Sequence, residues 1–268
     1  MCELMGMSFA RPVAADFSVR EFALRSHENP DGWGLAWYPD RSASLVKEPL
    51  RWGDSKYTTF LETYPGLRST VYVAHVRHRT AGGPPSHSDT HPFVRELDGT
   101  DYVFAHNGTL RGPFWDIPLR RFRPVGTTDS ERLFCLLLGD LAARGGGLAA
   151  EANRIWLWER LTALNRHGKL NCILSDGRLL VAYHDARGFK GLHRRRVLLS
   201  RHATRHFADP ELAIDLEGEA ANHGFVVATH PLSRNEWEPF RPGEMAVFEK
   251  GVLVEAHAPE PARASRDT

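Results

Sequence analysis

The chain has 268 residues, of which 42% are hydrophobic and 25% are charged, and its formal net charge at pH 7 is +1. This composition describes an ordinary globular protein, and the near-neutral charge gives no electrostatic reason to expect binding to nucleic acid or an anionic membrane. The three cysteines are too few and too far apart for a disulfide framework, and with no visible secretory signal or apolar span they favour a cytoplasmic location.

The chain begins Met1-Cys2-Glu3-Leu4. Cysteine is small enough for the initiator methionine to be removed, which would leave Cys2 with a thiol and a free α-amine on the same residue. The α-amine has an unperturbed pKa of roughly 7.7–8.0, so near neutral pH it can serve as a base for the thiol. A Met-Cys start is also common without any catalytic role, and the dipeptide alone does not decide between the two.

Short apolar or alternating runs predict most of the strands. In the first half of the chain they cover residues 3–9, 32–38, 43–47, 70–76 and 102–105. In the second half they cover residues 170–174, 179–183, 197–200, 225–229, 244–249 and 252–255. The Ser175-Asp176-Gly177-Arg178 and Lys250-Gly251 junctions are typical of hairpin turns.

A helix is predicted to start at Thr128-Asp129-Ser130-Glu131, where Thr128 and Glu131 have the spacing of a capping box. Further helices are predicted over residues 149–166, 17–25 and 56–64. Helices in the middle of the chain with strands on both sides indicate an α+β protein with two sheets. We expect residues 1–257 to form one domain and residues 258–268 to be a disordered tail.

Four segments carry residue types that are useful for chemistry. Asp31-Gly32-Trp33-Gly34 stands at the head of a predicted strand, and Ala74-His75-Val76-Arg77-His78-Arg79-Thr80 runs from a strand into a loop. Ala105-His106-Asn107-Gly108 is predicted as a strand end followed by a turn, and Thr128-Asp129-Ser130-Glu131 starts a helix. Taken singly, each has an ordinary structural explanation as a turn, a solvated strand end or a helix cap.

Taken together, the ordered set Cys2…DGWG…AHVR…HPF…AHNG…TDSE resembles the glutaminase domain of class II glutamine amidotransferases, in the N-terminal nucleophile (Ntn) hydrolase superfamily. The chain is most similar in kind to stand-alone bacterial amidotransferase-like proteins that begin Met-Cys-Glu-Leu. The resemblance implies the Ntn-hydrolase fold, a four-layer αββα sandwich of two stacked, mainly antiparallel sheets with helices outside both.

The resemblance also implies roles for six residues. Cys2 would attack the side-chain amide of glutamine and form a γ-glutamyl thioester. The Asn107 side-chain amide and the Gly108 backbone N–H would stabilise the oxyanion. Arg77 would clamp the substrate α-carboxylate with Thr80 as a second donor, and Asp129 would bind the α-ammonium. The family chemistry requires neither a cofactor nor a metal.

Three functions remain open at this point. The first is an amidohydrolase that cleaves the γ-amide of glutamine or of a small γ-glutamyl compound, since related stand-alone proteins serve γ-glutamyl thiol metabolism. The second is a glutaminase subunit that donates ammonia to a separate synthase, because the chain has no room for a synthase domain of its own. The third is a catalytically inactive or metal-binding scaffold.

The sequence offers two weaker candidates for binding. His87, Asp89 and His91 are potential metal ligands at alternating positions, but the flanking prolines indicate a loop and no further ligand set is evident. His193-Arg194-Arg195-Arg196 is a basic run, which we interpret as a solvated strand end. Gly82-Gly83-Pro84-Pro85 is equally consistent with a mobile lid and with a plain surface connection.

Overall fold

The computed structural model describes residues 2–17, 30–64, 67–78, 84–199, 204–209, 212–217, 221–232 and 237–260. The helix predicted over residues 17–25 falls outside these ranges except for Phe17, which ends a strand. The predicted tail is described only for residues 258–260, which carry no regular structure. The prediction of one domain over residues 1–257 stays a prediction.

Two antiparallel sheets form the centre of the described structure. The first sheet has the spatial order β13 (Glu238–Pro239), β9 (His193–Leu199), β12 (Asn222–Ala228), β1 (Glu3–Phe17), β4 (Arg68–Val76), β2 (Trp33–Trp37) and β3 (Ser44–Glu48). The hairpin of β10 (Thr204–Asp209) and β11 (Leu212–Glu217) pairs with the end of β1. The second sheet has the order β15 (Val252–His257), β14 (Met245–Glu249), β8 (Leu179–Tyr183), β7 (Gly168–Ser175), β6 (Thr100–Leu110) and β5 (Phe93–Leu97).

Three α-helices occur in the described residues, α1 (Lys56–Thr63), α2 (Asp129–Arg144) and α3 (Glu151–Leu164). They pack on the outer faces of the sheets. Leu61 of α1 joins Trp33 and Trp52 in a core outside the first sheet. Leu133 of α2 and Leu161 of α3 belong to a second core outside the second sheet.

A third core fills the space between the two sheets and includes Leu4, Val73, Ile173, Leu180 and Phe248. These residues come from strands of both sheets, so the sheets are stacked face to face. With a helix-covered core on each outer side, the layers run helix, sheet, sheet, helix. The predicted αββα sandwich of two antiparallel sheets is therefore confirmed.

Strand β1 has apolar residues at successive positions because both of its faces are buried. Side chains alternate between the two faces of a strand. Met5, Met7 and Phe9 belong to the outer core, whereas Leu4 faces the core between the sheets. At Gly6 on the inner face, a Cβ would lie 2.9 Å from Ile173, so the side chains of the second sheet fill the space left by the missing side chain. A strand buried on both faces has no polar side to alternate with.

The basic run at residues 193–196 was interpreted as a solvated strand end, and for Arg194 this was wrong. Arg194 lies within β9 and is 8% exposed. Its guanidinium donates to Glu244 Oε1 at 2.6 Å and also pairs with Glu238. Arg196 is exposed, as expected. The charge run therefore contains a buried ion pair because Glu244, about 50 residues away in the chain, folds against it.

Candidate active site

Cys2 lies directly before β1, at one end of the first sheet. The pairing of Glu3 with Val76 across β1 and β4 places Cys2 beside Arg77 and His78. The thiol Sγ is 3.1 Å from the His78 carbonyl oxygen and accepts a hydrogen bond at 3.1 Å from the His78 backbone N–H. Burial raises the pKa of the Cys2 thiol, while the His78 hydrogen bond and the positive charges of Arg77 and Lys190 act in the opposite direction.

Strand β6 brings Asn107 and Gly108 from the second sheet to the same place. The Asn107 side chain donates from Nδ2 to the Cys2 carbonyl oxygen at 2.7 Å. The turn predicted at Asn107-Gly108 is wrong, because β6 continues to Leu110 in register with β7. A Cβ on Gly108 would lie 2.0 Å from the Lys169 carbonyl oxygen, so this glycine permits a close strand approach rather than a turn.

The start of α2 contributes the third side of the site. Thr128 caps the helix as predicted, because its Oγ1 accepts from the Glu131 backbone N–H at 3.1 Å. The Glu131 carboxylate accepts from the backbone N–H groups of Val125 and Gly126, at 3.1 and 2.7 Å. Asp129 Oδ2 accepts from the Leu110 backbone N–H at 2.7 Å, which ties the helix start to the end of β6.

Two cavities meet at Cys2, and we call them the inner cavity and the outer chamber. The inner cavity has a volume of about 230 Å³ and is lined by Cys2, Arg77, Gly108, Asp89 and Asp129. This is smaller than the roughly 300–1,000 Å³ of pockets for drug-sized ligands, and it presents both signs of charge. The inner cavity therefore suits a small zwitterion.

The outer chamber lies on the other side of Cys2, Asn107 and Gly108 and has a volume of about 660 Å³. It is lined mainly by the strand ends and the loop between β8 and β9. Of the six residues predicted for the site, five thus line one cavity or the other. The sixth, Thr80, lies outside the described residues, as do Gly82 and Gly83 of the suggested lid.

Three buried histidines, His75, His91 and His106, lie at or near the inner cavity, and of these the sequence suggested a role only for His91, as a possible metal ligand. The rings of His75 and His91 are 4.3 Å apart between centroids. Burial lowers the pKa of His75 to about 3 and holds that of His91 well below its usual value. His106 Nε2 lies 3.1 Å from the Lys169 carbonyl oxygen, so Nε2 carries the proton and Nδ1 accepts from Ser130 Oγ at 2.9 Å. Burial lowers the pKa of His106 as well, which favours the neutral form of all three rings.

Asp89 is a further carboxylate of the inner cavity that sequence reasoning treated only as a possible metal ligand. Its Oδ1 accepts from the Thr127 backbone N–H at 2.6 Å. His91 points into the fold against His75. In the part of the chain that the structure describes, no three His, Cys, Asp or Glu side chains converge as a metal site. The signal that was available for Asp89 was its place two residues before the HPF segment.

None of the helices in the described part of the chain combines the length and apolar character needed to span a bilayer.

Comparison with known proteins adds four findings. The family model described as class II glutamine amidotransferases matches residues 1–268. The putative glutamine amidotransferase YafJ of Escherichia coli is 34% identical over 95% of this chain and 100% of its own length. The gamma-glutamyl-hercynylcysteine sulfoxide hydrolase of Mycobacterium tuberculosis is 37% identical over 61% of this chain and 64% of its own length. A crystal structure of a predicted glutamine amidotransferase from Pseudomonas aeruginosa, 29% identical, matches with a TM-score of 0.74 over 94% of this chain and 99% of its own.

Proposed function

The chain belongs to the class II glutamine amidotransferases, and from this premise we propose that it is an amidohydrolase that cleaves the γ-amide of a small γ-glutamyl compound, with glutamine as a slower substrate. The observation that carries the proposal is the pair of cavities meeting at Cys2. The inner cavity has the size and charges for a glutamyl group, and the outer chamber leaves room for a substituent on the amide nitrogen. The related hydrolase from Mycobacterium tuberculosis supports the same substrate class.

Cys2 is the proposed nucleophile, acting as the N-terminal residue after removal of Met1. Its α-amine takes the thiol proton, and the thiolate attacks the γ-carbonyl carbon. The C–N bond then breaks as the amide nitrogen receives that proton and leaves as an amine. The γ-glutamyl thioester that remains is attacked by water, which releases glutamate and restores the thiol. The net reaction consumes one γ-glutamyl amide and one water and yields glutamate and one amine.

Asn107 and Gly108 are the proposed oxyanion donors. The Asn107 amide already lies within hydrogen-bond distance of the Cys2 main chain, and the Gly108 backbone borders both cavities. Preorganised donors of this kind are each worth about 3–4 kcal/mol of transition-state stabilisation. Arg77 and Asp129 are proposed to hold the α-carboxylate and α-ammonium in the inner cavity.

The nucleophile is tested by intact mass and covalent labelling. We expect the active protein to lack Met1 and to gain one adduct of 6-diazo-5-oxo-norleucine at Cys2. Cys2→Ala should abolish hydrolysis of glutamine and γ-glutamyl amides. The matched controls Cys135→Ala and Cys172→Ala should retain both, since those thiols are buried in the core. Labelling at Cys135 or Cys172, or full activity with a verified uncleaved N-terminal extension, would contradict the assignment.

A second candidate function is delivery of ammonia from glutamine to a separate synthase, which the similarity to the Escherichia coli amidotransferase favours. The two functions are separated by kcat/KM for glutamine beside a panel of γ-glutamyl amides. We expect a substituted γ-glutamyl amide to be the better substrate without any added protein. A strong preference for glutamine that appears only with a synthase partner would favour the second function.

A further inference from the structure

The outer chamber has a charge pattern unlike that of the inner cavity. Its charged lining residues are Arg111, Lys169, Arg187 and Lys190, and none of its described lining residues is acidic. The inner cavity, by contrast, pairs one arginine with two carboxylates. A substrate group that extends past the scissile bond into the outer chamber therefore meets positively charged side chains and, among the described lining residues, no negatively charged ones.

Lys190 is the most informative of these cations. Its side chain is only 8% exposed, and its ammonium has no hydrogen-bond acceptor within the described residues. Glu3 Oε1 lies 4.0 Å from the ammonium and forms a long ion pair with it, but at this distance it accepts no hydrogen bond. The other Glu3 oxygen accepts from Thr229 Oγ1 at 2.5 Å and from His230 Nδ1 at 2.8 Å. A buried ammonium with unused donors is costly unless an anionic or polar partner completes it.

The loop that carries Lys190 is built around a buried carboxylate. Asp185 Oδ2 accepts from Asn165 Nδ2 and from the Leu170 backbone N–H, at 2.7 and 2.8 Å. Its Oδ1 accepts from the Arg187 backbone N–H at 2.8 Å. The loop is thus tied to β7 and to the turn after α3, which holds its cations in place before any ligand arrives.

The remaining cations and an aromatic ring complete the wall. Lys169 Nζ lies 4.4 Å from the centroid of the Phe189 ring, and the Phe189 carbonyl oxygen accepts from Asn171 Nδ2 at 2.7 Å. Arg187 Nη2 donates to the Asn165 carbonyl oxygen at 3.0 Å, and this partner is neutral. The wall therefore offers an apolar surface beside several positive charges.

We propose that the amine released by this enzyme carries an anionic group, a carboxylate above all, which the outer chamber binds through Lys190 and its neighbouring cations. The preferred substrates are thus γ-glutamyl amino acids or peptides rather than neutral γ-glutamyl amides. This inference rests on the proposed function, because it names the substrate class for the same site.

The test compares two compounds that differ only in that charge, γ-glutamyl-glycine and γ-glutamyl-glycinamide. Hydrolysis yields glutamate with glycine or with glycinamide, and both are followed by glutamate release. We expect kcat/KM to favour γ-glutamyl-glycine by about tenfold or more, the effect of one hydrogen bond to a charged group. The preference should shrink as ionic strength rises.

Lys190→Met should bring the ratio of the two kcat/KM values close to one, and Lys190→Arg should restore part of it. Each ratio is measured within one variant, so any common effect on the chemistry cancels. The matched control is Lys250→Met. Lys190 and Lys250 both have a positive φ, but Lys250 lies on the distant β14–β15 turn. Lys169→Gln, at an exposed position, should lower the ratio even if the buried substitution prevents folding.

The outcomes separate the two proposals. Equal kcat/KM for both compounds, with both hydrolysed at Cys2, would overturn this inference and leave the proposed function standing. A preference for the charged compound that survives both Lys190→Met and Lys169→Gln would also overturn it. Failure of the wild-type protein to hydrolyse either compound or glutamine would overturn the proposed function and the inference with it.

Discussion

At the scale of single residues, the two carboxylates of the inner cavity are already hydrogen-bonded to the backbone. Asp129 is tied to the Leu110 backbone N–H, and Asp89 is tied to the Thr127 backbone N–H. Each carboxylate is thereby fixed in position at the wall of the inner cavity. Fixed groups lose little conformational entropy when a substrate binds, so their contribution is to orientation as well as to charge.

The proposed recognition residues give a prediction that separates binding from chemistry. Arg77→Lys keeps the charge but loses the planar fork, so kcat/KM should fall by roughly 10- to 100-fold, about 1.5–3 kcal/mol, mainly through a higher KM. Asp129→Asn should have a similar effect, because the amide oxygen can still accept from Leu110 while the negative charge is lost. Steady-state kinetics with a γ-glutamyl amide measure both.

The control for these variants is Asp116→Asn, an exposed carboxylate on the short helix after β6. It should leave KM unchanged. If Arg77→Lys and Asp129→Asn left the binding of glutamate-type inhibitors unchanged as well, the assignment of the substrate clamp would be wrong.

At the scale of elements, β6 is the strand that brings the second sheet to Cys2, the proposed nucleophile. It carries His106, Asn107 and Gly108 past β7 without a break. Because Asn107 reaches Cys2 from this strand, the distance between the two sheets directly sets the geometry of the site. A change that pushes β6 away from β7 within the second sheet also moves Asn107 relative to Cys2, so it is expected to affect catalysis before it unfolds the protein.

Gly108→Ala tests this dependence. Its Cβ would lie 2.0 Å from the Lys169 carbonyl oxygen, a backbone atom that can move only if the strands separate. We expect kcat/KM to fall by about 10²-fold or more, comparable to the loss of an oxyanion donor. Gly99→Ala in the β5–β6 turn is the control, because nothing lies within 4 Å of its Cβ and only its positive φ is strained. That control should cost about 1 kcal/mol of stability and leave kcat/KM intact.

The elements also show what the sequence can and cannot predict. Strongly patterned segments were placed well, for example β2, β8 and the capped start of α2. The edge strand β5 and the strands β10, β11 and β13 were not predicted, because runs of two to six residues are too short for their periodicity to separate a strand from other structure. The extension of β6 through Asn107-Gly108 was also missed, since an Asn-Gly pair favours a turn unless a neighbouring strand approaches closely.

The site was predicted in part for a similar reason. The ordered motifs predicted Cys2, Arg77, Asn107, Gly108 and Asp129 as site residues, and the fold brings these five around two adjoining cavities, while their roles stay a proposal. Lys190 and Phe189 carry no local motif, and only the packing of the β8–β9 loop against β7 places them beside Cys2. Residues that act through long-range proximity give no signal in a single sequence.

At the scale of the whole molecule, neutral histidines are buried where the two sheets meet the site. His75 belongs to β4 of the first sheet, His91 precedes β5 of the second, and their rings are in contact, tilted by 32° with centroids 4.3 Å apart. Charging either ring would place a positive charge in a buried region close to Arg77, which is why both pKa values are lowered. The packing between the sheets is thus coupled to pH.

The sign of this coupling follows from the number of protons bound. His75 has a folded pKa of about 3, against roughly 6.5 in the unfolded chain, so below pH 6.5 the unfolded state binds a proton that the folded state does not. The contribution of His75 to the free energy of unfolding should therefore be fully present above about pH 6.5. By pH 5, the loss of this contribution should lower the free energy of unfolding by about 2 kcal/mol. Denaturant titrations between about pH 7.5 and pH 5 measure the slope of the free energy of unfolding against pH. This range lies above most carboxyl pKa values, so carboxyl groups contribute little to the slope. His75→Phe should flatten the slope, whereas His223→Phe, at a half-exposed position on β12, should not. An unchanged slope in His75→Phe would mean that the loss of stability in acid arises from other groups.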